Sequence, residues 1–194
     1  MSGERANAVY VTGASRGVGR LLGLHLARRQ TSVVAMARPS DDMDSLARDA
    51  GDARLTAVGV DVIDPAAVRA ALTAAAKQVG PPTTLITCAG SIDALGPVAE
   101  VDPDRWWSAV AVDLRGTMLT AQAALTWMLP SHWGRIVTVY GNLGDRGLPN
   151  VSAFAAAKAG VAQGARPNPA PLLLLVYLQV NQLAGCSDRS CQRS

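Results

Sequence analysis

Residues 12–19 read Thr12-Gly-Ala-Ser-Arg-Gly-Val-Gly19, and the fold is decided there. A β-branched run, Ala8-Val-Tyr-Val-Thr12, leads into them. Val18, Leu21, Leu22 and Leu26 follow at helical spacing, up to Arg28 and Arg29, whose charges suit a helix C-terminus. Strand, glycine turn and helix in that order make a cradle for phosphate. Gly13 permits a sharp turn. Gly17 and Gly19 let the backbone approach a pyrophosphate at the helix N-terminus, where unpaired N–H groups and the dipole favour anions. Ser15, Arg16 and Val18 complete the loop. The alternative is the tight turn of any α/β protein; three glycines at this spacing, directly between strand and helix, favour the cradle.

Outward from the turn, strand and helix alternate. Ser32–Met36 is the second strand, and Ser40 caps a short helix that Gly51 ends. Leu55–Val60 is the third strand. Asp64-Pro65 is a cap followed by proline at the first helical position, and that helix runs to Gly80. Thr84–Thr87 is the fourth strand, Asp102-Pro103 opens a long helix to about Leu129, and Arg135–Tyr140 is the fifth strand. Strands joined by single helices pair in parallel. The expected fold is α/β: a Rossmann-like, doubly wound parallel sheet in a single domain over residues 1–164. After Gly164 the pattern stops. Pro167, Pro169 and Pro171 forbid a regular helix, and residues 165–194 read as an aberrant or diverged tail.

Composition agrees and excludes other classes. The 194 residues make one domain, and with 49% hydrophobic and 17% charged residues the chain buries a core rather than staying disordered. No apolar run approaches the ~20 residues of a membrane span. The polar residues 1–7 hold no signal-peptide core, so the cytosol is the expected compartment. Sixteen arginines, two lysines and a formal charge of +3, with no basic run, give no nucleic-acid partner. Cys88, Cys186 and Cys191 form no CxxC pair and the histidines lie far apart, so no metal site is expected.

The glycine spacing is TGxxxGxG, and further stretches fit one family. Asp61-Val62 stands where that family has a pair contacting adenine. Thr87-Cys-Ala-Gly90 is similar to its Asn-Asn-Ala-Gly, Val112-Asp113-Leu114-x-Gly116 to its Val-Asn-Leu-x-Gly, and Phe154-Ala-Ala-Ala-Lys158-Ala-Gly160 to its Tyr-xxx-Lys-Ala-Gly. Gly134-Arg-Ile-Val137 enters its fifth strand. Over residues 6–164 the chain resembles the short-chain dehydrogenase/reductase family.

The resemblance implies a nicotinamide dinucleotide held by Thr12, Gly13, Ser15, Arg16, Gly17, Val18, Gly19, Asp61, Val62, Cys88, Ala89, Gly90 and Lys158. An NAD site needs an acid at the end of the second strand; Ala37 and then Arg38 stand there. Arg38 and Arg16 suit a 2′-phosphate, so NADP(H) is expected over NAD(H). The family's proton-donating Tyr, its ribose-binding Lys, its carbonyl-polarising Ser and its relay Asn fall on Phe154, Lys158, Gly141 and Asp113. Lys158 alone is unchanged. Phe154 has no O–H and Gly141 no side chain, and loss of a general acid costs roughly 100- to 10,000-fold. The Asp113 carboxylate is placed to pair with Lys158 if the family geometry holds. Tyr140, Asn142 and Ser152 are poor substitutes; Tyr140 should face away, because neighbouring strand residues alternate.

A family member continues from the lysine helix into a sixth strand. That strand ends in Val-Asn-x-(apolar)-x-Pro-Gly; here Val180-Asn181-Gln182-Leu183-Ala184 matches the start of that ending, Gly185 follows where Pro-Gly is expected, and residues 164–179 have nearly the right length and foreign content. The expected protein is therefore a truncated family member whose activity on a carbonyl or alcohol is weak or lost. The alternatives are a non-catalytic nucleotide-binding or dimerisation module, or a non-functional fragment. Trp106, Trp107 and Trp127 are expected in core packing, with a dimer interface as the other role.

Overall fold

The structure is a computed structural model that describes residues 8–140, 149–164 and the backbone of 173–179. Strand β1 (Ala8–Thr12) is buried along its whole length, which explains why its sequence is apolar without alternation. β2 (Ser32–Ala37) and β3 (Leu55–Gly59) extend the sheet on one side of it; β4 (Pro82–Thr87), β5 (Gly134–Tyr140) and β6 (Leu173–Gln179) extend it on the other. The order is β3-β2-β1-β4-β5-β6, and every pair is parallel. The direction of winding reverses between β1 and β4, and the crevice at that reversal is where such sheets bind ligands.

Helices α1 (Gly17–Arg28), α2 (Asp41–Ala50), α3 (Pro65–Val79), α4 (Pro103–Val110), α5 (Gly116–Met128) and α6 (Ser152–Gly164) cover the sheet. Successive β1 residues feed opposite cores. Tyr10 packs with Met36, Leu72, Leu85 and Met128 on one face; Val9 and Val11 pack with Leu24, Leu46 and Ile86 on the other. The wholly buried Tyr10 hydroxyl donates to the Gly80 carbonyl at 2.9 Å, and burial pushes its pKa up to about 12.

Two caps act as read. Asp64 Oδ1 accepts from the Ala66 and Ala67 amides, and Asp102 Oδ1 from the Arg105 amide. Ser40 stands at the N-cap of α2, but its side chain makes no capping bond. The long helix expected from Asp102 to about Leu129 is continuous but widens into a π-helical turn over Ala111–Arg115, between α4 and α5. The third strand ends at Gly59, so Asp61 and Val62 lie in the turn beyond it. The alternation read as stopping at Gly164 resumes at Leu173, where seven residues pair with β5 in the register Gly134↔Leu173. Of the three tryptophans expected in the core, only Trp106 is there, packed against the buried cluster of Ala94, Ala109 and Ala157, with its indole N–H donating to Ser152 Oγ at 3.0 Å. Trp107 is 65% and Trp127 37% exposed, because both fall on the outer face of their helices.

Candidate functional site

The glycine turn is shaped by close backbone approach. Gly13 has φ +65°, and a Cβ on it would lie 2.6 Å from the Ala89 nitrogen. A Cβ on Gly19 would collide with the Gly13 carbonyl. Gly17, at φ +58°, meets nothing: its surroundings are open. The turn therefore packs β1 against the end of β4 on one side and presents bare backbone at the α1 N-terminus on the other. Thr12, read as a cofactor contact, does not face that opening. It is 1% exposed, and its Oγ1 accepts from the Cys88 and Ala89 amides at 3.2 Å, tying the ends of β1 and β4 together.

A cavity of about 1140 Å³ opens over the carboxyl ends of the strands. Gly13, Ser15, Arg16, Gly17, Val18 and Gly19 line its middle, Arg38, Asp61 and Val62 one end, and Cys88, Ala89, Gly90, Phe154 and Lys158 the other. The volume, the glycine cradle and the guanidiniums of Arg16 and Arg38 fit a dinucleotide. Arg16 and Arg38 are exposed, and neither is in an ion pair among the described residues. Asp61 Oδ1 accepts from the Ile63 amide at 3.2 Å and fixes the turn after β3. Val62 is buried against Gly116, where a Cβ would come within 2.6 Å of the valine methyl; that contact explains the glycine.

Sequence reasoning missed two residues at this end. Asp42, in the first turn of α2, lines the same cavity as Arg38. Arg20 is the tether: it donates to the carbonyls of Ser15 and Asp42, to Ser45 Oγ, and to Asp49 Oδ2 at 2.6 Å. It thus joins the glycine turn to α2. A lone arginine on a helix carries no signal of such a role.

At the other end Asp113 and Lys158 meet. Lys158 Nζ stands 2.9 Å from Asp113 Oδ1, with the two side chains 8% and 0% exposed. Asp113 Oδ2 accepts the Ser91 amide at 2.7 Å. Gly90 makes room for this, since a Cβ there would sit 2.9 Å from Asp113 Oδ1. The π-helical turn carries Asp113 inward. Lys158 lines the cavity from α6 and lies over the Phe154 ring, 5.3 Å from its centroid. The expected pair is present, and the aspartate is behind the lysine rather than in the cavity wall. Burial pushes the Cys88 thiol up to about 12, against the opposing pull of the Lys158 charge.

Tyr140 corrects the sequence reading: it is 7% exposed and lines the cavity together with its neighbour Val139, because the cavity lies over the end of the strand and meets residues of both faces. Ser152 is engaged by Trp106, as described. Gly141, Asn142, Cys186 and Cys191 lie outside the described residues. No helix among the described residues is long and apolar enough to cross a membrane.

A family model for short chain dehydrogenases matches residues 7–167. A cis-4-hydroxycyclohexanecarboxylate dehydrogenase of Sinomonas cyclohexanicum is 38% identical over 154 residues, 78% of this chain and 61% of that protein. An inactive 2-(S)-hydroxypropyl-CoM dehydrogenase of Xanthobacter autotrophicus is 39% identical over 104 residues, 54% of this chain and 45% of that one. A crystal structure of an actinorhodin polyketide ketoreductase with NADPH superposes with a TM-score of 0.77 at 25% identity, over 82% of this chain and 62% of that one. The chain thus spans less than two thirds of the length of these relatives.

Proposed function

The chain belongs to the short-chain dehydrogenase family, and from that premise we propose that it binds NADP(H), in preference to NAD(H), with hydride transfer to or from a carbonyl or alcohol weak or lost. The dinucleotide, when bound, supplies or accepts the hydride. The glycine cradle suits its pyrophosphate, and the guanidiniums of Arg16 and Arg38 suit its 2′-phosphate. A ketoreductase of similar fold, solved with NADPH, supports this choice. The cofactor contacts proposed are Gly13, Ser15, Arg16, Gly17, Val18, Gly19, Arg38, Asp61, Cys88, Ala89, Gly90 and Lys158.

One observation carries the catalytic half of the reading. At the position of the family's proton donor, the Phe154 ring covers the Lys158 ammonium, which is already paired with Asp113. A phenyl ring donates no proton to a carbonyl oxygen, and this lysine has no phenol whose pKa it would lower. A relative that itself bears the description inactive shows that the family includes such members. The test is a titration with NADPH and NADH, followed by a panel of ketones and aldehydes. NADPH should bind more tightly and turnover should stay near background. Equal affinities would remove the 2′-phosphate reading, and fast reduction would remove the lost-acid reading.

The second reading is a nucleotide-binding module that associates through its surface. Trp107, Met118 and Leu129 are 65%, 50% and 58% exposed along the α4–α5 helix. Exposed apolar side chains on one continuous helix favour association. Light scattering that gives a monomer with and without NADPH would dispose of it.

A further inference from the structure

Lys158 and Asp113 form the one ion pair among the described residues with both side chains buried. The reading of the cavity as a dinucleotide site gives this pair a consequence. With the phosphates at the glycine turn and the 2′-phosphate at Arg38, the nicotinamide half lies past the turn, toward Gly90, Phe154 and Lys158. The oxidised and reduced cofactors differ there by one positive charge on the nicotinamide ring.

The charges facing that end balance. The ammonium of Lys158 is offset by Asp113 Oδ1 at 2.9 Å. Phe154 brings a π face and no charge. Cys88 stays a neutral thiol. Asp93 and Arg105, both exposed and both in the cavity wall, are opposite in sign, and Arg105 donates to the Asp93 carbonyl at 2.7 Å. With the asparagine of the family pattern at 113, the lysine would stand uncompensated. We infer that Asp113 determines which redox form the cavity accepts: by cancelling the Lys158 charge it admits the cationic, oxidised nicotinamide. The inference rests on the proposed cofactor reading.

The test is the affinity ratio of NADP+ to NADPH, measured by calorimetry on the full chain and on Asp113→Asn, Lys158→Met and the double variant. Contacts to ribose and phosphate are common to both forms and cancel in the ratio. A lone buried ammonium sheds its proton and a lone buried carboxylate gains one. Asp113→Asn is therefore compared with the parent at mildly acidic pH, and Lys158→Met at mildly alkaline pH. Asp113→Asn should weaken NADP+ relative to NADPH by about tenfold, the scale of one unit charge across several ångströms of protein. That corresponds to about 30 mV in the two-electron potential of the bound cofactor. Lys158→Met should shift the ratio in the opposite sense, and the double variant should match the parent. Ratios that stay fixed, or that move in the same sense, overturn the inference. If Asp113→Asn does not fold, Lys158→Met and the double variant decide. Failure of the parent to bind either form overturns the cofactor reading and this inference together; binding of both forms with fixed ratios overturns this inference alone.

Discussion

The middle of the cavity and its Lys158 end are built differently. At the glycine turn the backbone path is fixed, with Gly13 and Gly19 held by contacts that admit no side chain. At the Lys158 end the framework is kept and the chemistry is changed: the ammonium has a carboxylate at 2.9 Å and an aromatic face, but no hydroxyl at position 154. On the proposed function, binding and turnover lie in separable parts of one cavity. A chain can lose the second and keep the first, because the cradle is built from backbone and the reaction end from side chains.

The largest effect is expected at the ion pair. Asp113→Ala leaves a buried ammonium without its counter-charge, which costs about 3–5 kcal/mol. Adding Lys158→Met should return much of that loss, because the stranded charge is removed with its partner. Urea unfolding of the four proteins measures the coupling. Additive losses would mean that the two side chains do not stabilise one another, and the contrast between the two ends would lose its structural basis.

Next is the cradle. Gly19→Val places branched carbon against the Gly13 carbonyl, so the turn must open. NADPH binding should vanish while Asp113 and Lys158 remain untouched. Retained affinity would show that the dinucleotide is held chiefly from the other end. Arg38→Asp acts more gently: removing one charged contact to a 2′-phosphate costs about 1.5–3 kcal/mol and should reverse the preference for NADPH over NADH. Asp42→Asn, at the same end of the cavity, should strengthen that preference. Fluorescence titrations with both cofactors read all three.

The sheet and the cradle were legible in the sequence because each depends on local rules: β-branched runs, Asp-Pro caps and three spaced glycines. The cap of Asp64 and the pairing of Asp113 with Lys158 followed from such rules or from the family pattern. Other features depend on what lies across space. Nothing near Thr12 in sequence says that its hydroxyl receives two amides from the end of β4. Nothing near Arg20 says that it reaches Asp49. The π-helical turn at Ala111–Arg115 has no mark in the helical periodicity, and Tyr140 escaped because a cavity over a strand end meets residues of both faces, Val139 and Tyr140 alike. The sixth strand was missed for a different reason: three prolines before it suggested that regular structure had ended, while the apolar run itself pairs with β5.

Cys88 offers a smaller probe of the Lys158 end. Its pKa is raised to about 12 chiefly by burial, so the folded state favours the thiol. Any stability from that preference is fully present below the unfolded thiol's pKa and is lost as pH rises toward 12. Alkylation by iodoacetamide in a Cys186→Ser/Cys191→Ser background should therefore stay slow at neutral pH and accelerate only in strong alkali. NADPH should slow it further if the nicotinamide half covers that wall. Fast labelling at neutral pH would mean that the lysine charge outweighs burial.

The smallest gain is expected from Phe154→Tyr with Gly141→Ser. The pair restores a phenol on α6, four residues before Lys158, and a hydroxyl at the position that matches the family's serine. General acid catalysis is worth roughly 100- to 10,000-fold when all its parts cooperate. Here they do not, because the ammonium that would lower the phenol's pKa is held by Asp113. A few-fold rise over the parent in NADPH-dependent ketone reduction is the expected result, well short of that range. Adding Asp113→Asn should then raise the rate again at mildly acidic pH, where the freed Lys158 keeps its proton and can act on the new hydroxyl. If the double variant alone reaches full family-like turnover, the Asp113 pairing is no obstacle, and the separation between a binding end and a disarmed end reduces to two missing hydroxyls. If the triple variant is no faster than the double, the lysine was never the limiting group, and positioning of the substrate is what this chain lacks.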